Sequence, residues 1–210
     1  MIGRKIDHIV YAVLDLDQAM SDIESHLGIR PVFGGYHKTQ GTKNALLDLD
    51  DGCYLEILAI DHDNINIKTS RWMGIDLILE PRITRWALKS DHIESDSEIL
   101  KSHNKEMGTI YQGSRKTTTG ETLAWKMILP LSSPDIELIP FMVDWSESAF
   151  HPTEKLQEGC SLKEISLAGS AADKSNQVFN ELSISNNISN TINTTISITI
   201  EGPNGLIILK

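Results

Sequence analysis

The sequence predicts an α+β fold in which tandem βαβββ modules form a cupped mixed sheet with helices on its outer face, followed by a partial third module. Two observations carry this prediction. Hydrophobic periodicity traces the order strand–helix–strand–strand–strand through residues 1–80 and again through residues 81–145. A third, shorter copy then starts at residue 162, after a linker over residues 146–161 that mixes proline, glutamate and glycine.

In the first module, Ile6 to Val13 (IDHIVYAV) reads as a strand. Asp15 can cap a helix, with Gln18 closing a capping box. Leu16, Ala19, Met20, Ile23 and Leu27 then make one apolar stripe, and Gly28 supplies the left-handed stop. Ile29 to Phe33 reads as a strand ending at Gly34-Gly35. Ala45 to Leu49 and Tyr54 to Ile60 follow, joined by the turn Asp50-Asp51-Gly52.

The second module repeats this order. Ile83 to Ser90 is a strand, and Ser95 with Glu98 forms a capping box for a helix closed at Met107-Gly108. Thr109-Ile110-Tyr111 leads to Gln112-Gly113, and Leu123 to Leu129 and Ile136 to Val143 are the last two strands. The third copy has the strand LKEISLAG from Leu162, a helix from Ala172 to Leu182, and strands Ile196 to Ile200 and Leu206 to Leu209. Asn186 to Thr195 is polar and reads as an exposed loop or irregular hairpin.

The chain has 210 residues and a formal charge of −10, which disfavours nucleic acid and anionic membrane surfaces as partners. Its two cysteines, Cys53 and Cys160, lack metal-type spacing and read as reduced thiols. No signal peptide is evident and no apolar run approaches the ~20 residues of a membrane helix, so the cytoplasm is the expected location. There is no nucleophile elbow, phosphate-binding loop or dinucleotide fingerprint.

Strand alternation suggests which residues face the cup. Ile9, Tyr11 and Val13, with Leu55, Ile57 and Ala59, suit the helix-covered face, which sends His8 and Glu56 to the other. A glutamate inside the run Cys53 to Ile60 costs several kcal/mol if buried without a partner. Aligning the modules matches His8 with Arg85, Glu56 with Glu137, and His37 with Arg115. Packed as one cup, these six side chains would make a dense polar interior.

The chain resembles the glyoxalase-like group of the vicinal oxygen chelate superfamily. The matching pieces are Ile6-Asp7-His8-Ile9-Val10, Gly34-Gly35-Tyr36-His37 with Gly41-Thr42-Lys43-Asn44, and Gly52-Cys53-Tyr54-Leu55-Glu56. Ser114-Arg115 with Gly120 and Trp125, Pro140-Phe141 with Trp145, and His151-Pro152 continue the match. The resemblance implies a divalent metal (Zn, Mn, Fe(II) or Ni) held by His8, Glu56 and Glu137. Arg85 would occupy a fourth ligand position, where arginine cannot ligate. The bland alternative is a His8–Glu56 hydrogen bond, or Glu56 paired with Arg85.

Arg115 and Arg85 are candidates to grip a small anionic molecule, or else they neutralise Glu56 and Glu137. His37 and Glu56 are candidate proton carriers, and Thr42 and Asn44 candidate ligand-bonding groups, against readings as loop, turn and strand-start residues. Asp61-His62-Asp63 reads as a solvated loop, and His151-Pro152 as a rigid linker feature. The expected function is a metal-dependent lyase or isomerase acting on a small anionic substrate in the cup, with ring-opening dioxygenation as a variant. The alternative is a metal-free binding or sequestering protein. The third copy pairs either within the chain or with a second chain in a homodimer.

Overall fold

The computed structural model describes residues 4–116, 120–170 and 172–210, with only the backbone for Arg115 and Lys116. The first module is β1 (Ile6–Val13), α1 (Leu16–Leu27), β2 (Val32–His37), β3 (Thr42–Asp48) and β4 (Tyr54–Ile60). The second is β5 (Arg82–Lys89), α2 (Ile93–His103), β6 (Ile110–Lys116), β7 (Thr122–Ile128) and β8 (Phe141–Asp144). Their strands form one eight-stranded sheet in the order β2-β3-β4-β1-β5-β8-β7-β6. Each module pairs its first and last strands in parallel, and the two first strands meet antiparallel at the centre. This is the cupped mixed sheet that the repeated pattern predicts.

Local chemistry accounts for the elements. Asp15 caps α1 by accepting from the Gln18 N–H at 3.0 Å, while the Gln18 side chain donates to Asp22 rather than closing the box. Gly28 takes φ 82 and closes α1 onto the Glu24 carbonyl, a conformation that costs glycine nothing. The second helix differs from the sequence expectation: it begins at Ile93, not at Ser95. The Ser90 hydroxyl accepts from the His92 N–H ahead of it, and Ser97 bonds the Gly108 carbonyl instead. The strand expected over Ile136 to Val143 is confined to Phe141–Asp144. Residues 129–140 take an irregular path that includes a cis Ser133–Pro134 peptide.

The third segment forms a separate sheet, β10-β9-β11-β12, from β9 (Ser161–Gly169), β10 (Ile188–Asn190), β11 (Thr195–Gly202) and β12 (Gly205–Leu209), with α3 (Ala172–Glu181) between β9 and β10. Its strand order differs from that of the modules, with β9 parallel to β10 and antiparallel to β11. It lies over the helix-bearing face of the large sheet. Ile196, Ile198, Ile200, Phe179 and Leu182 share one buried core with Ile9, Leu27, Ile57 and Trp86. Main-chain bonds seal the contact, from the Ile83 N–H to the Lys210 carbonyl and from the Leu162 N–H to the Leu49 carbonyl. The third segment therefore pairs within the chain. Ile9, Val13, Leu55, Ile57 and Ala59 face this core, leaving His8, Val10 and Glu56 on the concave side, as alternation predicts.

Because the two sheets share one core, Ile200→Ala, which truncates a fully buried side chain, is expected to cost about 2–5 kcal/mol. Chemical denaturation followed by tryptophan fluorescence should show one cooperative transition in both proteins, with the midpoint of the variant lowered.

Candidate functional site in the concave sheet

A narrow, partly open cleft lies on the concave face. His8 from β1, His37 from β2, Asn44 from β3 and Glu56 from β4 line its polar side. Glu56 is 5% exposed. Its Oε1 accepts from Asn44 Nδ2 at 2.6 Å and lies 3.8 Å from His37 Nε2, and its Oε2 lies 3.5 Å from His8 Nε2. A carboxylate buried at this depth is tolerable because an amide and two imidazoles surround it. The Thr42 hydroxyl, fully buried, holds His37 through Nδ1 at 3.0 Å, so Thr42 orients the imidazole. The His8 ring stacks on Tyr54 at 4.7 Å.

Behind His8 stands Asp7, which simple alternation would send to the opposite face. The β1–β5 register shifts between Ile6 and His8, so Asp7 is the extra residue of a bulge and stays on the concave side. Its Oδ1 accepts a hydrogen bond from His8 Nδ1 at 2.6 Å. Its Oδ2 accepts from Trp145 Nε1 at 2.8 Å and His151 Nε2 at 3.1 Å. Complete burial pushes the Asp7 carboxyl up, but the hydrogen bonds from His151 and His8 outweigh it and hold the group well below its ordinary range. The ionised Asp7 fixes the His8 tautomer with Nε2 turned towards Glu56. Sequence reading gave no role to Asp7 or Tyr54, and read His151-Pro152 as a rigid linker feature with no link to the site. His151 caps the short 3-10 helix Pro152–Lys155, with Glu154 accepting from its N–H, and it also reaches Asp7.

The bulges also align the modules. The same register has a second shift at Thr84 of β5, opposite the step from Val10 to Tyr11. Matching Asp7 to Thr84 pairs His8 with Arg85, as the sequences suggest. It then sets other residues opposite the polar groups. Val10 pairs Glu56 where Ala87 pairs Phe141, and Asn44 pairs Leu58 where Met127 pairs Val143. Along the outer strands, His37 corresponds to Gly113, each lying across from the residue two before the Asn44 and Met127 positions. Phe141, not Glu137, thus stands in the place of Glu56, and Gly113, not Arg115, in that of His37.

Arg85 and Glu137 line a different, mostly apolar cavity. The Arg85 guanidinium donates to four main-chain carbonyls, of Thr84, Leu131, Pro134 and Asp135, and so pins the irregular segment before β8. Burial lowers its pKa to about 10, opposed by Glu137 and Asp135, so it stays charged at neutral pH. Glu137 Oε1 accepts from the Ile139 N–H. Of the implied metal ligands, His8 and Glu56 come together and Glu137 does not join them; no three His, Cys, Asp or Glu side chains among the described residues form a group able to hold an ion. With phenylalanine at the position the second module would use, the implied donor set does not fit the metal. The side chain of Arg115 lies outside the described residues.

Asp7→Asn, which leaves two histidines and an indole around a neutral amide, should destabilise the protein at pH 7 by about 3–5 kcal/mol. The folded-state pKa of Asp7 lies below the unfolded value near 3.8, so its stabilisation is present above about pH 4 and is lost as pH falls through the folded value. Urea midpoints measured from pH 7 down to pH 2 should therefore fall less steeply below pH 4 in Asp7→Asn than in the wild type.

The sequence model of a family described as a glyoxalase-like domain matches residues 6–183. Among solved structures, a hypothetical protein from Staphylococcus aureus superposes with a TM-score of 0.64 at 18% identity, over 97% of this chain and 83% of that one. Methylmalonyl-CoA epimerase from Mycobacterium tuberculosis gives a TM-score of 0.44 at 21% identity, over 66% of this chain and 86% of that one. No curated protein matches the sequence. No helix among the described residues is long and apolar enough to cross a membrane. The chain belongs to the glyoxalase-like domain family, and its paired βαβββ modules build the fold of the vicinal oxygen chelate superfamily.

Proposed function

We propose that this protein is a proton-transferring lyase or isomerase acting on a small acid or hydroxy-carbonyl compound bound in the concave cleft. The observation that supports this most is the Glu56 carboxylate set between the Nε2 atoms of His8 and His37, with ionised Asp7 behind His8. A carboxylate in such a site is a fit base for a proton on carbon next to a carbonyl, because Asn44 and the imidazoles hold it at the cleft wall. In the forward step Glu56 takes the carbon-bound proton and protonated His37 gives its Nε2 proton to the carbonyl oxygen, forming an enediol. In an isomerisation Glu56 delivers its proton to the former carbonyl carbon while His37 takes the hydroxyl proton from the carbon first deprotonated, which becomes the new carbonyl; in an elimination His37 takes back the proton it gave, the carbonyl re-forms, and the β-substituent leaves with the proton held by Glu56.

His8, held by Asp7, keeps Glu56 from turning away. Arg85 is committed to main-chain carbonyls, and the candidate to hold an acid group of the substrate is Arg115. Each of these steps uses only side chains of this chain. Sequestration without chemistry is the second reading and makes a different forecast for the same experiment.

The test is deuterium exchange, followed by proton NMR in deuterated buffer, on 2-hydroxy aldehydes, 2-hydroxy ketones and 2-oxo acids. The protein should speed exchange of the carbon-bound proton, Glu56→Gln should slow it by about 10²-fold or more, and His37→Asn by about 10²-fold. Ligand-induced shifts in melting temperature should shrink in Arg115→Ala for substrates bearing an acid group. Binding without exchange would favour sequestration, and exchange undiminished in Glu56→Gln would remove the glutamate as base.

A further inference from the structure

The register that aligns the two modules shows a cup with unlike halves. Where the first module presents Glu56, Asn44 and His37, the second presents Phe141, Met127 and Gly113. Gly113 matters because a side chain there would strike the Trp125 indole, as close as 2.5 Å from the position of an added Cβ. The missing side chain lets that ring lie flat across the strand beside the cleft. Arg85, the one charged counterpart, turns away to carbonyls outside the cleft.

The segments flanking the second module complete the apolar side. Trp72 and Met73 come from the chain joining the two modules, and Trp145 from the end of β8. Met73 sits at φ 59, a conformation that strains a long side chain, and it is nonetheless buried and tied by its N–H to the Leu131 carbonyl at 3.0 Å. Gly74 packs directly on the main chain of Pro134 and Asp135. The wall that carries Trp72 and Met73 is thus braced by the same irregular segment that Arg85 pins. Three indoles and two thioethers facing one carboxylate and two imidazoles make a site with a compact polar end and a broad, polarisable apolar end.

We infer that the substrates of this cleft are amphipathic, with an oxygen-bearing head at His8, His37 and Glu56 and an aromatic or comparably bulky apolar body against Trp72, Met73, Trp125 and Met127. The inference builds on the reading of this cleft as the working site, but it concerns binding and stands or falls apart from any reaction. A short acid or sugar with no such body leaves the indoles and thioethers without a partner, and its head alone must supply the affinity.

The experiment measures dissociation constants, by tryptophan fluorescence and calorimetry, for pairs of compounds that share a head and differ only in methyl against phenyl. Pyruvate with phenylpyruvate, lactate with phenyllactate, and hydroxyacetone with its phenyl counterpart serve as probes. For at least one head the phenyl member should bind about tenfold or more tightly, the gain expected for burying a ring. That preference should fall to about threefold or less in Met127→Gln or Trp125→Ala. Melting curves of both variants identify loss of fold, and a variant that melts like the wild type carries the comparison. Equal affinity within every pair, no binding of any pair, or a ring preference unchanged in both variants would overturn the inference. A ring preference without proton exchange would leave it standing and overturn the proposed reaction instead.

Discussion

Asp7 is fully buried, and its two oxygens accept three hydrogen bonds from residues of three different segments: His8 on β1, Trp145 after β8 and His151 at the cap of the following 3-10 helix. Much of the site hangs on that junction. A buried carboxylate is costly unless its donors are in place, so the chain after the second module is obliged to return to the first. In returning it delivers Trp145 and Pro152 to the cleft wall. The same contact orients His8, and through His8 it reaches Glu56. Positioning of the cleft is therefore distributed over residues far apart in the chain, and the segment between the second and third parts is structural rather than a spacer.

The division of labour between the two halves has a physical logic. Both modules use the same backbone plan, down to a bulge in the first strand that re-aims neighbouring side chains. The first half spends its bulge on an Asp–His pair that faces the cleft. The second places Thr84 and Arg85 there, and the guanidinium, too large and too strongly charged to lie bare among apolar groups, donates to three carbonyls of the segment before β8 and to that of Thr84. Held in that way, the segment braces Met73 and Gly74 and shapes the opposite wall. One module supplies ionisable groups and the other supplies shape.

The third segment shows how a repeat in element order can part from a repeat in architecture. Its βαβββ order matches the modules, yet its strands add up to a different sheet, and its apolar face closes the outside of the large sheet. A cupped sheet needs its helix face covered on both sides of the helices, and the third segment provides that cover with Phe179, Leu182 and the isoleucines of β11. Nothing in its order of elements distinguishes this role from that of a third cup module, because strand order depends on which edges are already occupied.

Local signals in the chain determined the order of elements, the caps at Asp15 and Gly28, the sidedness of β1 and β4, and the placing of His8 and Glu56 on one face, because alternation and helical spacing act over a few residues. The presence of His37, Thr42 and Asn44 near them was also legible, since a short antiparallel hairpin carries β2 and β3 alongside β4. Tertiary structure alone decided the rest. Bulges have no fixed sequence mark, so Asp7 was invisible. The irregular residues 129–140 shifted the register of the second module by several residues, so that Glu137 was matched where Phe141 belongs. His151 gained its role only when the fold brought it back to a carboxylate far upstream, a pairing governed by burial and hydrogen bonding rather than by anything adjacent in the chain.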